Sequence, residues 1–225
     1  CADYLKYVFL PAVSRFSVTA ELENPKKGYY PIGGGEVEAT VHPSRPPLSS
    51  VEVIERGDLL NVTVSSCVSN LPLDIAKRQE NRAFERLKAA SIHAQAVSFS
   101  APSPGRGTYL FILARFERIA AGFSALGARG KRAEDVADEA TDKFLSYFNG
   151  AGALDPHLSD QVTQCMALAR GRSSFTTTEV TSHLLTNIYV IERFLPVRFS
   201  VRGARGGEGA VSVEGCGHTM SGLNA

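Results

Sequence analysis

Eight consecutive residues near the middle of the chain, Tyr109-Leu-Phe-Ile-Leu-Ala-Arg-Phe116, contain one charged side chain, Arg115. A strand of that composition has no face to offer water, so it belongs in the interior of a sheet. The periodicity around it alternates between that of strands and that of helices. Val51 to Val68 is rich in β-branched residues, is broken at Arg56-Gly57-Asp58, and reads as two strands. Leu73 to Ala90 is a charged helix carrying Ile75, Ala76, Ala83, Phe84 and Leu87 on its apolar side. Alternation resumes at Ile92 to Phe99, Pro102 to Gly107 is a turn, and Gly122 to Leu126 is a further short strand. Ala133 to Phe148 is helical, with Glu134 and Asp135 placed early, where the helix dipole favours them. Residues 55–150 therefore read β-α-β-β-β-α, a compact unit within a mixed α/β chain.

The flanks are α/β as well. Tyr4 to Phe16 repeats Leu5, Val8, Phe9, Ala12 and Val13 at helical spacing, and Glu36 to Val41 alternates as a strand. Pro43 to Ser50 is a Pro/Ser-rich connector, and residues 151–225 hold two helices and a final strand pair, Val197 to Val201 and Ala210 to Val213. With 225 residues, 44% hydrophobic and 21% charged, the chain is globular rather than disordered, collagen-like or coiled-coil. The balance of 24 basic against 23 acidic residues removes any global argument for nucleic acid and leaves room for a local basic patch. The longest run free of Asp, Glu, Lys and Arg, Ala89 to Gly105, is too polar to span a membrane. Four scattered cysteines without a C-x-x-C pair fit a reducing cytosol. Cys216-Gly-His218 reads as a loose glycine-rich tail, and Asn61-Val-Thr63 as a chance sequon. The opening Cys1-Ala2-Asp3-Tyr4 lacks a methionine, so a fragment or a processed product is expected.

Three segments offer chemistry. Asp155-Pro156 opens a helix as N-cap and first residue. Leu158, Val162, Cys165 and Ala169 form its expected buried stripe, and His157, Asp160, Gln161 and Gln164 share the other side. An imidazole, a carboxylate and amides there can stack on a flat ring and hydrogen-bond around it. Thr181 or Ser182 caps a later helix with apolar residues at Leu184, Ile188, Ile191 and Leu195, which puts His183 in the first turn. The positive end of a helix opposes a positive charge on that imidazole and offers N–H groups to a phosphate. Such a histidine can attack a phosphoanhydride, although a structural hydrogen-bonding role has the same spacing. The Gly33-Gly34-Gly35 loop lacks the Lys-Ser/Thr ending of a P-loop and leads into a strand, as a turn or bulge does. Arg129-Gly130-Lys131-Arg132 is either a nucleic-acid contact or a solvated helix start.

Tyr29-Tyr30-Pro31-Ile32-Gly33-Gly34-Gly35-Glu36-Val37 resembles the F/Y-Y-P-x-G-G-G segment of RNA 3'-terminal phosphate cyclases. Leu126 to Lys131, Asp155 to Gln161, Ser182 to Ile188 and Val190 to Val197 follow in that family's order. The resemblance runs from Ala2 to about Val213. It implies a large domain of repeated β-α units, of the type shared with enolpyruvyl transferases, each a four-stranded sheet with two helices. Residues 1–54 and 151–225 would belong to that domain, with 55–150 as a small inserted domain. The resemblance further implies that His183 attacks the α-phosphate of ATP and becomes a histidine–AMP intermediate. His157, Leu158, Ser159, Asp160 and Gln161 would line the nucleotide site, with Tyr4 near the adenine. The substrate would be RNA with a 3'-phosphate end, made into a 2',3'-cyclic phosphodiester with the help of Mg²⁺ or Mn²⁺. Family members carry a portion before the Ala2 position that contacts ATP and metal, so this chain is expected to expose apolar surface and to lack those contacts. A non-catalytic branch acting in ribosome biogenesis is the alternative, against which His183 argues; an enolpyruvyl transferase has no place for the His183 block.

Overall fold

The computed structural model describes residues 1–44 and 47–218. Residues 45–46 of the Pro/Ser-rich connector and 219–225 of the tail lie outside the described residues. The chain begins with a continuous helical segment: α1 (Ala2–Tyr4), a π-helical turn (Leu5–Phe9) and α2 (Leu10–Ser14). Pro11 explains the wide turn. Proline lacks an N–H and crowds the preceding turn, and a π-bulge relieves both effects. Tyr4, Val8, Ala12, Val13 and Phe16 are buried along one side of this segment.

β1 (Ala20–Lys26) and β2 (Glu36–Val41) form a two-stranded antiparallel sheet. Alternation predicts a half-buried β2, yet every residue of it is exposed, including Val37 and Val41. The ribbon buries Leu22 of β1 and leaves β2 at the surface. Between the two strands, the Tyr29–Gly35 segment clasps the Pro102–Gly107 turn. The Tyr29 ring occupies the space a Cβ would need at Gly107, and Gly34 (φ +67°) passes close to Pro104. The glycine loop is thus a turn with a packing role.

β3 (Glu52–Val53) and β4 (Leu59–Ser69) flank the predicted break and enter different sheets. The first sheet has order β5-β4-β6-β7, with β5 (Ala94–Ser100) parallel to β4 and β6 (Gly107–Phe116) and β7 (Ala120–Leu126) antiparallel. Helices α3 (Leu73–Ala89) and α4 (Ala133–Asn149) cover one face. On α3 the buried positions include Gln79 in place of the half-exposed Phe84, because Ser66 and Thr108 both donate to its side-chain oxygen. β6 needs cover on both sides and has it. Leu110, Ile112 and Ala114 pack under the helices, while Tyr109, Phe111 and Leu113 join Tyr4, Val8 and Ala12. The compact unit read from residues 55–150 therefore shares one face of its sheet with the rest of the chain.

The second sheet has order β3-β8-β10-β9, built from β3, β8 (Arg170–Thr177), β9 (Phe199–Arg202) and β10 (Gly209–Cys216). α5 (Pro156–Gln161), α6 (Thr163–Leu168) and α7 (Ser182–Phe194) accompany it. The amides of Gly217 and His218 donate to Ala169 and Leu168, so the chain is held through His218 and is not a loose tail there. The outward side of α7 exposes Tyr189, Val190 and Phe194, the last at 83%. Among the described residues no helix is long and apolar enough to cross a membrane.

Candidate functional site

Two helix starts and two loops meet around a cleft of about 890 Å³. Asp155 is the N-cap of α5. Its Oδ1 accepts the amides of His157 at 2.9 Å and Leu158 at 3.0 Å, and Pro156 fills the first helical position. The Tyr4 hydroxyl donates to the same carboxylate, at 2.8 Å to Oδ1. Burial pushes the Asp155 carboxyl above its ordinary range, and its donors partly offset that effect. At α7 the cap is Thr181, whose Oγ accepts the Leu184 amide at 3.0 Å. Its carbonyl takes the Leu185 amide. The amides of Ser182 and His183 are thereby left for an incoming group.

His157 and His183 are both exposed and both line the cleft, with Asp160 between them. Burial raises the Asp160 carboxyl above its ordinary range, while the imidazoles of His157 and His183 pull it back down. Asn187 ties the two helices together, its amide donating to the main-chain oxygen of Asp160 at 3.2 Å.

The other expected site residues lie elsewhere. Leu158 and Ser159 have no exposure: Leu158 packs in the main core, and Ser159 donates to the Pro156 carbonyl at 2.8 Å. Neither side chain can line the cleft, because both lie on the inner side of α5. Gln161 does not reach the cleft either; its buried Oε1 has no partner among the described residues. The helix ends there, and α6 restarts after Val162, so exposed Gln164 does not share a face with His157. Tyr4 is 7% exposed and meets His157 edge-on, with ring centroids 6.1 Å apart. It sits beneath the site, because its hydroxyl is needed by Asp155.

Other walls of the cleft come from segments that no motif marks. Tyr147 and Lys143 stand on α4, Glu179 follows β8, and Gly206, Gly207 and Glu208 form the β9–β10 turn. Arg56 supports that wall by donating to the carbonyls of Tyr147, Phe148 and Gly150 at the end of α4, with its guanidinium over the Tyr147 ring. Only the glycine-rich composition of Arg202 to Gly209 hints at such a loop in sequence. Lys143 is already engaged by Glu139 and the Ser124 carbonyl. The run Arg129 to Arg132 is likewise paired in part, Lys131 with Glu139 and Arg132, still exposed, with Glu134. Among the described residues no three of His, Cys, Asp and Glu converge to hold a metal ion. The described residues of the site thus offer no cation cage of their own.

The family model described as RNA 3'-terminal phosphate cyclase matches residues 1–201. A protein of that name from Methylococcus capsulatus is 40% identical over 213 residues, 95% of this chain and 59% of that protein. Another, from Pyrobaculum neutrophilum, is 38% identical over 220 residues, 96% of this chain and 62% of the relative. A third, from Archaeoglobus fulgidus, is 40% identical over 193 residues, 86% and 56% of the two. The chain thus spans about three fifths of the first two relatives' length. It belongs to the RNA 3'-terminal phosphate cyclase family.

Proposed function

We propose that this chain carries the nucleophile and part of the nucleotide site of an enzyme that cyclises RNA 3'-phosphate ends using ATP. The observation that carries the reading is the exposed His183 in the first turn of α7, facing Asp160 and His157 across a nucleotide-sized cleft. An imidazole nitrogen of His183 attacks the α-phosphorus of ATP; the bond to diphosphate breaks and histidine–AMP forms. An oxygen of the RNA 3'-phosphate then attacks the same phosphorus, the P–N bond breaks, and the RNA phosphate gains AMP through an anhydride. Attack by the neighbouring 2'-hydroxyl closes the 2',3'-cyclic diester and expels AMP. The scheme replaces one poor leaving group with two better ones, which is the use of covalent catalysis. The free amides of Ser182 and His183 are placed to receive a phosphate oxygen. Asp160 would orient the imidazole of His183, and His157 would offer its ring to the adenine. A divalent cation, Mg²⁺ or Mn²⁺, would neutralise the departing diphosphate when bound, and no described residue set is assigned to it.

The test is incubation with Mg²⁺ and ATP labelled at the α-phosphate, on this chain alone and on this chain joined to the remaining part of a relative. An acid-labile protein–AMP adduct is expected, and it should vanish in His183→Ala while Asp160→Asn slows its formation. No adduct in either form of the protein would overturn the reading.

A further inference from the structure

The sheet β3-β8-β10-β9 turns Phe175, Val211 and Val213 toward the core and leaves its opposite face open. Register sets Glu52, Ser174, Ser212 and Ser200 in one row across that face. On one side of the row Arg172 stands opposite Glu214, with Arg198 just before β9; on the other, Ala210 lies between Thr176 and Arg202. Short side chains thus floor a trough of about 500 Å³, and Arg172, Arg198 and Arg202 line its sides. Residues two apart on a strand are separated by about 6.8 Å, so the two arginine rows stand roughly 13 Å apart. That width admits one nucleic-acid strand and not a duplex.

We propose that this trough holds the single-stranded RNA upstream of the 3' end; the inference rests on the cyclase reading above. Charge favours it. Arg172 and Arg202 enter no ion pair among the described residues, and Arg198 spends only Nη1, on the carbonyls of Glu192 and Val197 and, at 3.9 Å, on the Glu192 carboxylate. The face carries these three arginines against two carboxylates, Glu214 and Glu52, the latter accepting the Ser174 hydroxyl at 2.9 Å. Guanidinium forks bind phosphate in pairs of hydrogen bonds, and the hydroxyls of Ser200 and Ser212 can serve phosphate oxygens or a 2'-hydroxyl. The trough also leads to the cleft. β8 runs from Thr176 into Thr178 and Glu179 of the cleft wall, and Arg202 and Ala210 flank the turn that supplies Gly206 to Glu208. An RNA end at His183 therefore has its preceding nucleotides at the Arg202 end of the trough.

The experiment is fluorescence anisotropy with 3'-phosphorylated single strands of three and twelve nucleotides across a salt series, using the whole chain. Arg172→Ala, Arg198→Ala and Arg202→Ala are combined; all three side chains are exposed, so the fold is retained. The twelve-nucleotide strand should lose at least tenfold in affinity, and its log–log salt slope should shrink by about 2. The trinucleotide, which reaches at most the Arg202 end, should lose much less, and AMP labelling of His183 should be unaffected. An unchanged affinity and slope would overturn the proposal, as would equal losses for both lengths. Equally tight binding of a duplex, or equal competition by polyglutamate, would also overturn it. Loss of the AMP adduct from the unmutated protein, with the length-dependent RNA effect intact, would sink the cyclase chemistry and not the trough.

Discussion

Asp155 has no solvent exposure, and its carboxylate accepts the Tyr4 hydroxyl and two amides of α5. Replacing it with alanine removes an N-cap and leaves the phenol buried without a partner. The two effects together predict about 3 kcal/mol of lost stability in urea unfolding. Tyr4→Phe keeps the cap and loses one hydrogen bond, so about 1 kcal/mol is expected. The pH dependence follows from the direction of the shift. Burial raises the folded carboxyl above its unfolded value near 4, so between those two values the folded chain holds more protons. This group's contribution to stability therefore falls as pH rises from about 4 through the raised value. Asp155→Asn should flatten that slope in denaturation measured from pH 4 to pH 7. A slope identical to that of the unmutated chain would show that the carboxyl does not titrate in the window.

The helix pair α3–α4 shows the opposite electrostatic behaviour. Arg78 meets Glu134, Arg82 meets Asp138, and Arg86 meets Asp138 and Asp142, each step four residues along both helices. Burial works against the charge on Asp138, but Arg82 and Arg86 outweigh it and hold the carboxyl below its usual range. Stability from this ladder is present above the unfolded value near 4 and is lost as pH falls through the lowered one. Asp138→Asn should therefore lower stability at neutral pH and weaken its dependence on acid, read as the midpoint of acid unfolding. The two helices were legible in sequence because their period of 3.6 residues is unbroken over four turns. The six-residue α5 was not legible as a separate helix, since its break at Val162 comes from packing and no glycine or proline marks it. β2 alternates and still buries nothing, because alternation reports a face and not what covers it. At the site, Thr181 and the apolar repeat placed His183 correctly in a first turn. Glu179, Glu208 and Tyr147 were invisible because sheet pairing and the α4 C-terminus bring them in from separate segments.

At the scale of the molecule, residue order and core membership divide the chain differently. Residues 55–150 contain a complete sheet and both of its helices, yet Phe111 and Leu113 pack with Val8, Ala12 and Phe16 of the opening helical segment. Further ties cross the same boundary: the Arg15 guanidinium donates to the Arg118 carbonyl at 2.8 Å, and the Tyr147 hydroxyl to the Ala153 carbonyl at 2.6 Å. Two packed faces on one strand couple the regions, because β6 cannot leave one cluster without disturbing the other. Phe111→Ala should cost about 3–5 kcal/mol, as for a large core truncation. Val8→Ala, on the facing helix, should cost about 2 kcal/mol. Coupling of the two regions predicts more than these magnitudes: both substitutions should shift one shared transition. Tyrosine fluorescence reports seven tyrosines, five of them outside residues 55–150, and labelling of the buried Cys67 thiol reports that region alone, so urea curves from the two probes should coincide in all three proteins. Curves that separate, with Val8→Ala shifting one and leaving the other in place, would show that residues 55–150 fold on their own and that the shared face contributes contact without cooperativity.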